Sequence, residues 1–214
     1  GIFQSLAWLS QQADRVVVVL LGSLSTLGFY SLALAVARAP VDALVGGLNN
    51  HHRTRLASAR SIDDTRSLVL ATCRRGIVVV VPFVVLSMIV GLLIPTVFGP
   101  EWVPASVPVV ILAWSALPSV FYYILAATLV HHGSFRLAQV LQSVGVACGV
   151  LAGILVTVDL ELGSVAVVGR EFLLSVGAIW VARRYVAKSL FVLWIACQSV
   201  VAIAVGIAVV LAVT

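Results

Sequence analysis

Gly76-Ile77-Val78-Val79-Val80-Val81-Pro82-Phe83-Val84-Val85-Leu86-Ser87-Met88-Ile89-Val90-Gly91-Leu92-Leu93-Ile94-Pro95 is a run of twenty residues without a charge. As a helix it is about 30 Å long, which is the thickness of bilayer hydrocarbon. Similar runs follow at 105–130, 137–158, 162–182 and 189–213, the third of these interrupted by Arg170 and Glu171. In lipid only helices and closed barrels satisfy their own backbone groups, and continuous apolar runs lack the period-two alternation of a barrel strand. The chain therefore reads as an all-α membrane protein.

Composition points the same way. Of 214 residues, 62% are hydrophobic and 10% charged, where a soluble domain carries about 25% charged residues. The net charge of +5 does not imply a nucleic-acid partner, because that requires basic residues gathered on one folded face. Here they collect in the gaps between apolar runs.

The first 50 residues admit two readings. One is a single helix over 16–37, bounded by Arg15 and Arg38. The other is two spans, 2–21 and 28–48, with Gly22-Ser23-Leu24-Ser25-Thr26 as a tight turn. The second is preferred, because the first leaves the apolar segment 41–48 unexplained. It gives a bundle of about seven transmembrane helices with a loop at 49–75. With that count Arg53, Arg55, Arg60, Arg66, Arg74, Arg75, Arg136, Arg183, Arg184 and Lys188 share one side, while Glu101, Asp159 and Glu161 lie on the other. An excess of Lys and Arg marks the cytoplasmic face, so the chain is expected to start inside and to end outside in the cell membrane.

Charges within spans are the informative exceptions, each costing about 2.5–3.5 kcal/mol on insertion scales. Asp14 and Arg15 lie in the first span beside Gln11 and Gln12, and read as the edge of a polar cavity. Arg38 and Asp42, four residues apart in the second span, can pair on one face. Arg170 and Glu171 are adjacent, so they are expected to point apart and to need partners on other helices or a wet cavity. Pro40, Pro82 and Pro118 fall inside spans, where a missing N–H favours kinks. Gly145, Gly149 and Gly153 recur every fourth residue, which suits close packing of a neighbouring helix.

Other features read as structural. The pairs His51-His52 and His131-His132 fall at helix ends, where an amphipathic ring suits the interface, and no metal-ligand spacing accompanies them. Asp63-Asp64 reads as part of a solvated loop, and Cys73, Cys148 and Cys197 as free thiols. No catalytic constellation is present, so transport is expected rather than catalysis, with no cofactor.

Three stretches resemble the polysaccharide (O-antigen type) flippases of the multidrug/oligosaccharidyl-lipid/polysaccharide exporter superfamily. They are Asp14-Arg15 in mid-helix followed by Leu27-Gly28-Phe29-Tyr30-Ser31-Leu32-Ala33, the basic segment 51–75, and Phe98-Gly99-Pro100-Glu101-Trp102-Val103-Pro104-Ala105. The resemblance implies that the chain is the second lobe of a two-lobed exporter and that the N-terminal half of the same transporter is its partner. It also implies movement of an anionic lipid-linked oligosaccharide, a polyprenyl-diphosphate glycan, across the cytoplasmic membrane by alternating access among membrane lipids. Arg15 and Arg170 would then hold the diphosphate in a shared water-filled cavity, since guanidinium binds phosphate bidentately. Asp14 and Glu171 would temper the charge or couple an ion. Where the family often has a proline after its eighth helix, this chain has Leu48-Asn49-Asn50-His51. The rival readings are a cation-coupled multidrug or metabolite exporter of the same superfamily, a membrane glycosyl- or phospho-transferase, and a scaffold half inactive alone. Gly1 at the start, without a signal-peptide pattern, favours a fragment of a longer chain.

Overall fold

The computed structural model describes residues 2–213, which form a helical bundle. The helices are α1 (Ile2–Leu21), α2 (Leu24–Ala37), α3 (Ala39–Leu56), α4 (Ile62–Phe98), α5 (Val103–Ala113), α6 (Ala116–His131), α7 (Phe135–Val158), α8 (Leu160–Val181) and α9 (Lys188–Val213). Four of them, α4, α7, α8 and α9, are long and apolar enough to cross a membrane. Two more spans result if the bent pairs α2/α3 and α5/α6 each count as one. The 20-residue α1 is long enough to cross but is diluted by Gln11, Gln12, Asp14 and Arg15, and falls outside that set.

Local sequence explains the boundaries. Ser23 caps α2 by accepting from the Thr26 amide (3.0 Å), so residues 22–23 suffice to separate α1 from α2. α2 and α3 are set at 44° to each other, with Pro40 in the first turn of α3. Proline brings no N–H to the carbonyl four residues back, here that of Val36. Ser87 Oγ on α4 donates to it instead (3.2 Å). α5 and α6 meet at 43° around Trp114 and Ser115, with Pro118 in the first turn of α6. By contrast, α4 runs unbroken through Pro82 and Pro95.

The loop expected at 49–75 is a correction. Helix α3 continues to Leu56 and α4 begins at Ile62, so residues 57–61 alone are non-helical. The cause is a reciprocal cap: Ser61 Oγ accepts from the Asp64 amide (3.0 Å), and Asp64 Oδ2 accepts from the Ser61 amide (3.0 Å). Ser-x-x-Asp before an apolar run is a legible helix start, and Asp64 belongs to it rather than to a solvated loop.

The packing is that of a membrane bundle. α6 is apolar on all sides and buried along almost its whole length, which makes it the central helix. α4 and α9 lie at the periphery and expose Val78, Leu92, Val192 and Ile203, a surface suited to lipid and not to water. α1 packs chiefly on α7. There a side chain at Gly149 would strike Ala13 Cβ (2.9 Å) and one at Gly153 the Asp14 carbonyl (2.7 Å), while Gly145 faces Ser10. The small-residue face of α7 is thus covered by α1. Beside the start of α2, Trp102 packs edge-to-face on Phe29 (5.5 Å), so two of the sequence stretches singled out above meet.

A buried charge cluster at two broken spans as the candidate functional site

Four elements converge at mid-bundle: α1, the α2/α3 break, the start of α6, and α8. Arg38 sits in the break itself, between the end of α2 and the start of α3. Its Nη2 contacts Asp42 Oδ1 (3.2 Å) and its Nη1 contacts Glu171 Oε1 (3.2 Å). The same Nη1 donates to Ser115 Oγ (3.2 Å), which lies at the α5/α6 break. The two breaks are therefore bonded to each other directly.

Arg170, midway along α8, donates from Nη2 to Glu171 Oε1 (2.7 Å) and from Nη1 to the Ser10 carbonyl (3.3 Å). Asp14 Oδ1 lies 3.7 Å from Nη1, while Asp14 Oδ2 accepts from the Tyr30 hydroxyl. Glu171 Oε2 accepts from Ser119 Oγ (3.0 Å), one turn into α6, where the N-terminal end of the helix dipole favours a carboxylate. Gly149 makes the arrangement possible: a Cβ there would lie 3.2 Å from Arg170 Nη1, so the bare face of α7 provides room for the guanidinium.

Five of the six residues expected from the sequence are thus joined: Asp14, Arg38, Asp42, Arg170 and Glu171. The expectation that Arg170 and Glu171 point apart is corrected. They bridge each other directly, because the long arginine side chain curls back across the angle between neighbouring helical positions. Arg15 is the exception. It is partly exposed and has no ion pair among the described residues. Nor do Arg15 and Arg170 face a common cavity in this structure, since Arg170 is 3% exposed and its charge is met by two carboxylates.

The cluster holds three carboxylates and two guanidinium groups, so acids exceed bases when all are ionised. Its outlet is Asp42, whose side chain is 43% exposed. Asp42 lines a cavity of about 250 Å³ together with Gln11, Asn49 and Tyr123. Gln11 Nε2 donates to Tyr123 Oη there (3.0 Å), and Asn49 Oδ1 is buried without a hydrogen-bond partner.

The histidines separate into different environments. His52 is not an interfacial ring but fully buried, with Nδ1 3.2 Å from Thr72 Oγ1 and Nε2 3.0 Å from Thr128 Oγ1, so it ties α3 to α4 and α6. This was missed because nothing in the local pattern distinguishes His52 from the exposed His51. His132 stacks on Tyr185 (4.3 Å); burial, with the neighbouring His131 and Arg184, holds its imidazole below the usual range. Among the described residues no group of three or more His, Cys, Asp or Glu side chains is placed to hold a metal. Cys73, Cys148 and Cys197 are free thiols.

No curated protein and no solved structure matches the chain. The family described as "Polysaccharide biosynthesis protein" matches residues 2–108, which hold Asp14, Arg38 and Asp42 and both sequence stretches that meet at Phe29 and Trp102. On that match, which spans half of the chain, this multi-pass membrane protein belongs to the polysaccharide biosynthesis protein family.

Proposed function

We propose that the chain is one lobe of a transporter that moves a lipid-linked oligosaccharide, carried on a polyprenyl diphosphate, across the cytoplasmic membrane by alternating access. The observation that carries this reading is the meeting of two broken spans at Arg38 and Ser115, around buried charges. Transporters place substrate sites where spanning helices are interrupted near the membrane midplane, and ionisable groups are kept there for function. The topology proposed with it has seven spans, with α1 counted as one. Both the start of the chain and the Arg183–Lys188 end of α8 are then cytoplasmic, in line with the segregation of basic residues.

Within this reading Arg38 is the guanidinium placed to receive the diphosphate. Asp42 holds it from the cavity side and is half in solvent, so an entering phosphate can displace that carboxylate without exposing the rest of the cluster. Arg170, enclosed by Asp14 and Glu171, keeps α1 against α8 and is released only if those helices part. Arg15 stands at the partly exposed side of α1, available to the lipid carrier once the lobes separate.

The test is Arg38→Lys in the full-length protein, expressed in cells that depend on it for surface polysaccharide. Lysine keeps the charge but loses the bidentate fork, so transport should fall while abundance in the membrane stays normal. Normal surface polysaccharide in that variant would sink the assignment of Arg38. The excess of carboxylates over guanidinium groups favours, as a second reading, a cation-coupled exporter of drugs or metabolites. That reading requires drug resistance, and not surface polysaccharide, to respond to Asp42→Asn.

A further inference from the structure

Beside the turn from α8 to α9 the two helices diverge and leave an open groove of about 720 Å³. Ile179 lines its apolar depth, the exposed Val192 its open side, and Trp194 forms one wall. Trp194 is held in place by its Nε1 donating to Ser175 Oγ (3.1 Å) and by stacking against Phe172 and Phe191. The rim carries Arg183 and Lys188, both exposed, with Trp180 under the Arg183 guanidinium at 5.9 Å from its ring centroid. Neither base has a carboxylate within ion-pair distance among the described residues.

The pairing of surfaces selects the ligand. A free anion would satisfy the rim and leave the apolar groove empty, whereas a neutral lipid would fill the groove and leave two positive charges unmatched. A molecule with a phosphodiester anion joined to an acyl chain satisfies both. Tryptophan at the rim suits the boundary between headgroup and hydrocarbon, where amphipathic rings settle. Basic pockets between membrane helices hold anionic headgroups by the same logic.

We propose that this groove is a binding site for an anionic phospholipid. The phosphate sits on Arg183 and Lys188, and one acyl chain lies along Ile179, Val192 and the face of Trp194. The site shares no residue with the charge cluster, so the lipid is a resident of the bundle and not the transported molecule. It also supplies a partner for α9, which packs less closely on the bundle than the other long helices.

The experiment is native mass spectrometry of the purified full chain in detergent containing equal amounts of phosphatidylglycerol and phosphatidylcholine. Retention of phosphatidylglycerol is expected to exceed that of phosphatidylcholine by about thirtyfold, as two interfacial basic residues at about 1 kcal/mol each imply. R183Q/K188Q should abolish the preference. R53Q/R55Q, which removes the same charge from exposed positions at the end of α3, should retain it. All four substitutions are at exposed side chains, so folding is not at issue. Equal retention of the two lipids overturns the proposal, as does a preference that survives R183Q/K188Q. A preference lost equally in R53Q/R55Q also overturns it, because it would then reflect net charge and not this groove.

Discussion

The two broken spans bend by nearly the same angle, 44° for α2/α3 and 43° for α5/α6, yet they solve the problem of interruption differently. The first places a guanidinium, Arg38, at the break, and its freed Val36 carbonyl is taken up by Ser87 from another helix. The second places hydroxyls there: Ser115 Oγ also lies 2.6 Å from the Leu112 carbonyl, and Ser119 Oγ 2.8 Å from the Ser115 carbonyl. A hydroxyl can turn back onto its own helix, but a guanidinium has five donors, more than the one local carboxylate, Asp42, can match. The charged break must therefore recruit Glu171 and Asp42, and in doing so it binds α8 to the hinge of α2/α3. The neutral break could close on itself, and is drawn into the cluster because Arg38 reaches Ser115.

This contrast can be broken by substitution. Removing a buried charge should do the most damage. Arg170→Ala leaves Asp14 and Glu171 short of a counter-ion and should cost about 3–5 kcal/mol, read as loss of folded protein by size-exclusion chromatography in detergent. Adding Asp14→Asn should restore part of the yield. Normal abundance of Arg170→Ala would mean that the cluster does not hold the bundle together.

Gly149→Leu is expected to come next, at about 1–3 kcal/mol or more, because overpacking forces apart helices already in contact. A side chain there meets Ala13 and crowds Arg170, so thermal stability in detergent should fall and the Asp14–Arg170 contact should open. An unchanged melting temperature would place that face of α7 toward lipid.

The hydroxyl variants sharpen the comparison. Ser119→Ala removes a donor to the Glu171 carboxylate and should lose about 1.5–3 kcal/mol, against about 0.5–1.5 kcal/mol for Ser87→Ala, whose acceptor is neutral. Paired thermal melts measure the difference, and the reverse order would show that the proline-freed carbonyl matters more than the charge. The smallest effect on folding is expected for Asp42→Asn, under about 1 kcal/mol, since the Asp42 side chain is half solvated and Arg38 keeps Glu171 as a counter-ion. A large loss of folded yield in that variant would contradict its position at the cavity.

Much of the candidate site was legible because ionisable residues inside apolar runs are rare, so Asp14, Arg38, Asp42, Arg170 and Glu171 stood out from background. The i,i+4 spacing of Arg38 and Asp42 also foretold a pair that the structure contains. Arg15 stood out by the same criterion but is partly exposed and outside the cluster, since neighbours on a helix point about 100° apart. That same rule failed for Arg170 and Glu171, where a flexible side chain crossed the angle. The Ser61–Asp64 cap is also written in the sequence, as Ser-x-x-Asp ahead of an apolar run, and it confines the non-helical segment to residues 57–61.

By itself, then, the sequence determined that the chain is helical and membrane-embedded, since twenty uncharged residues in a row have no other low-energy arrangement. It also determined where α7 is bare enough for a neighbour, because glycine every fourth residue strips one face. Which helix lies on that face, which breaks meet, and which of two adjacent histidines is buried were decided by the tertiary structure alone. Those outcomes depend on contacts between positions far apart in the chain, such as Arg38 with Glu171 and His52 with Thr128, and local periodicity carries no information about them.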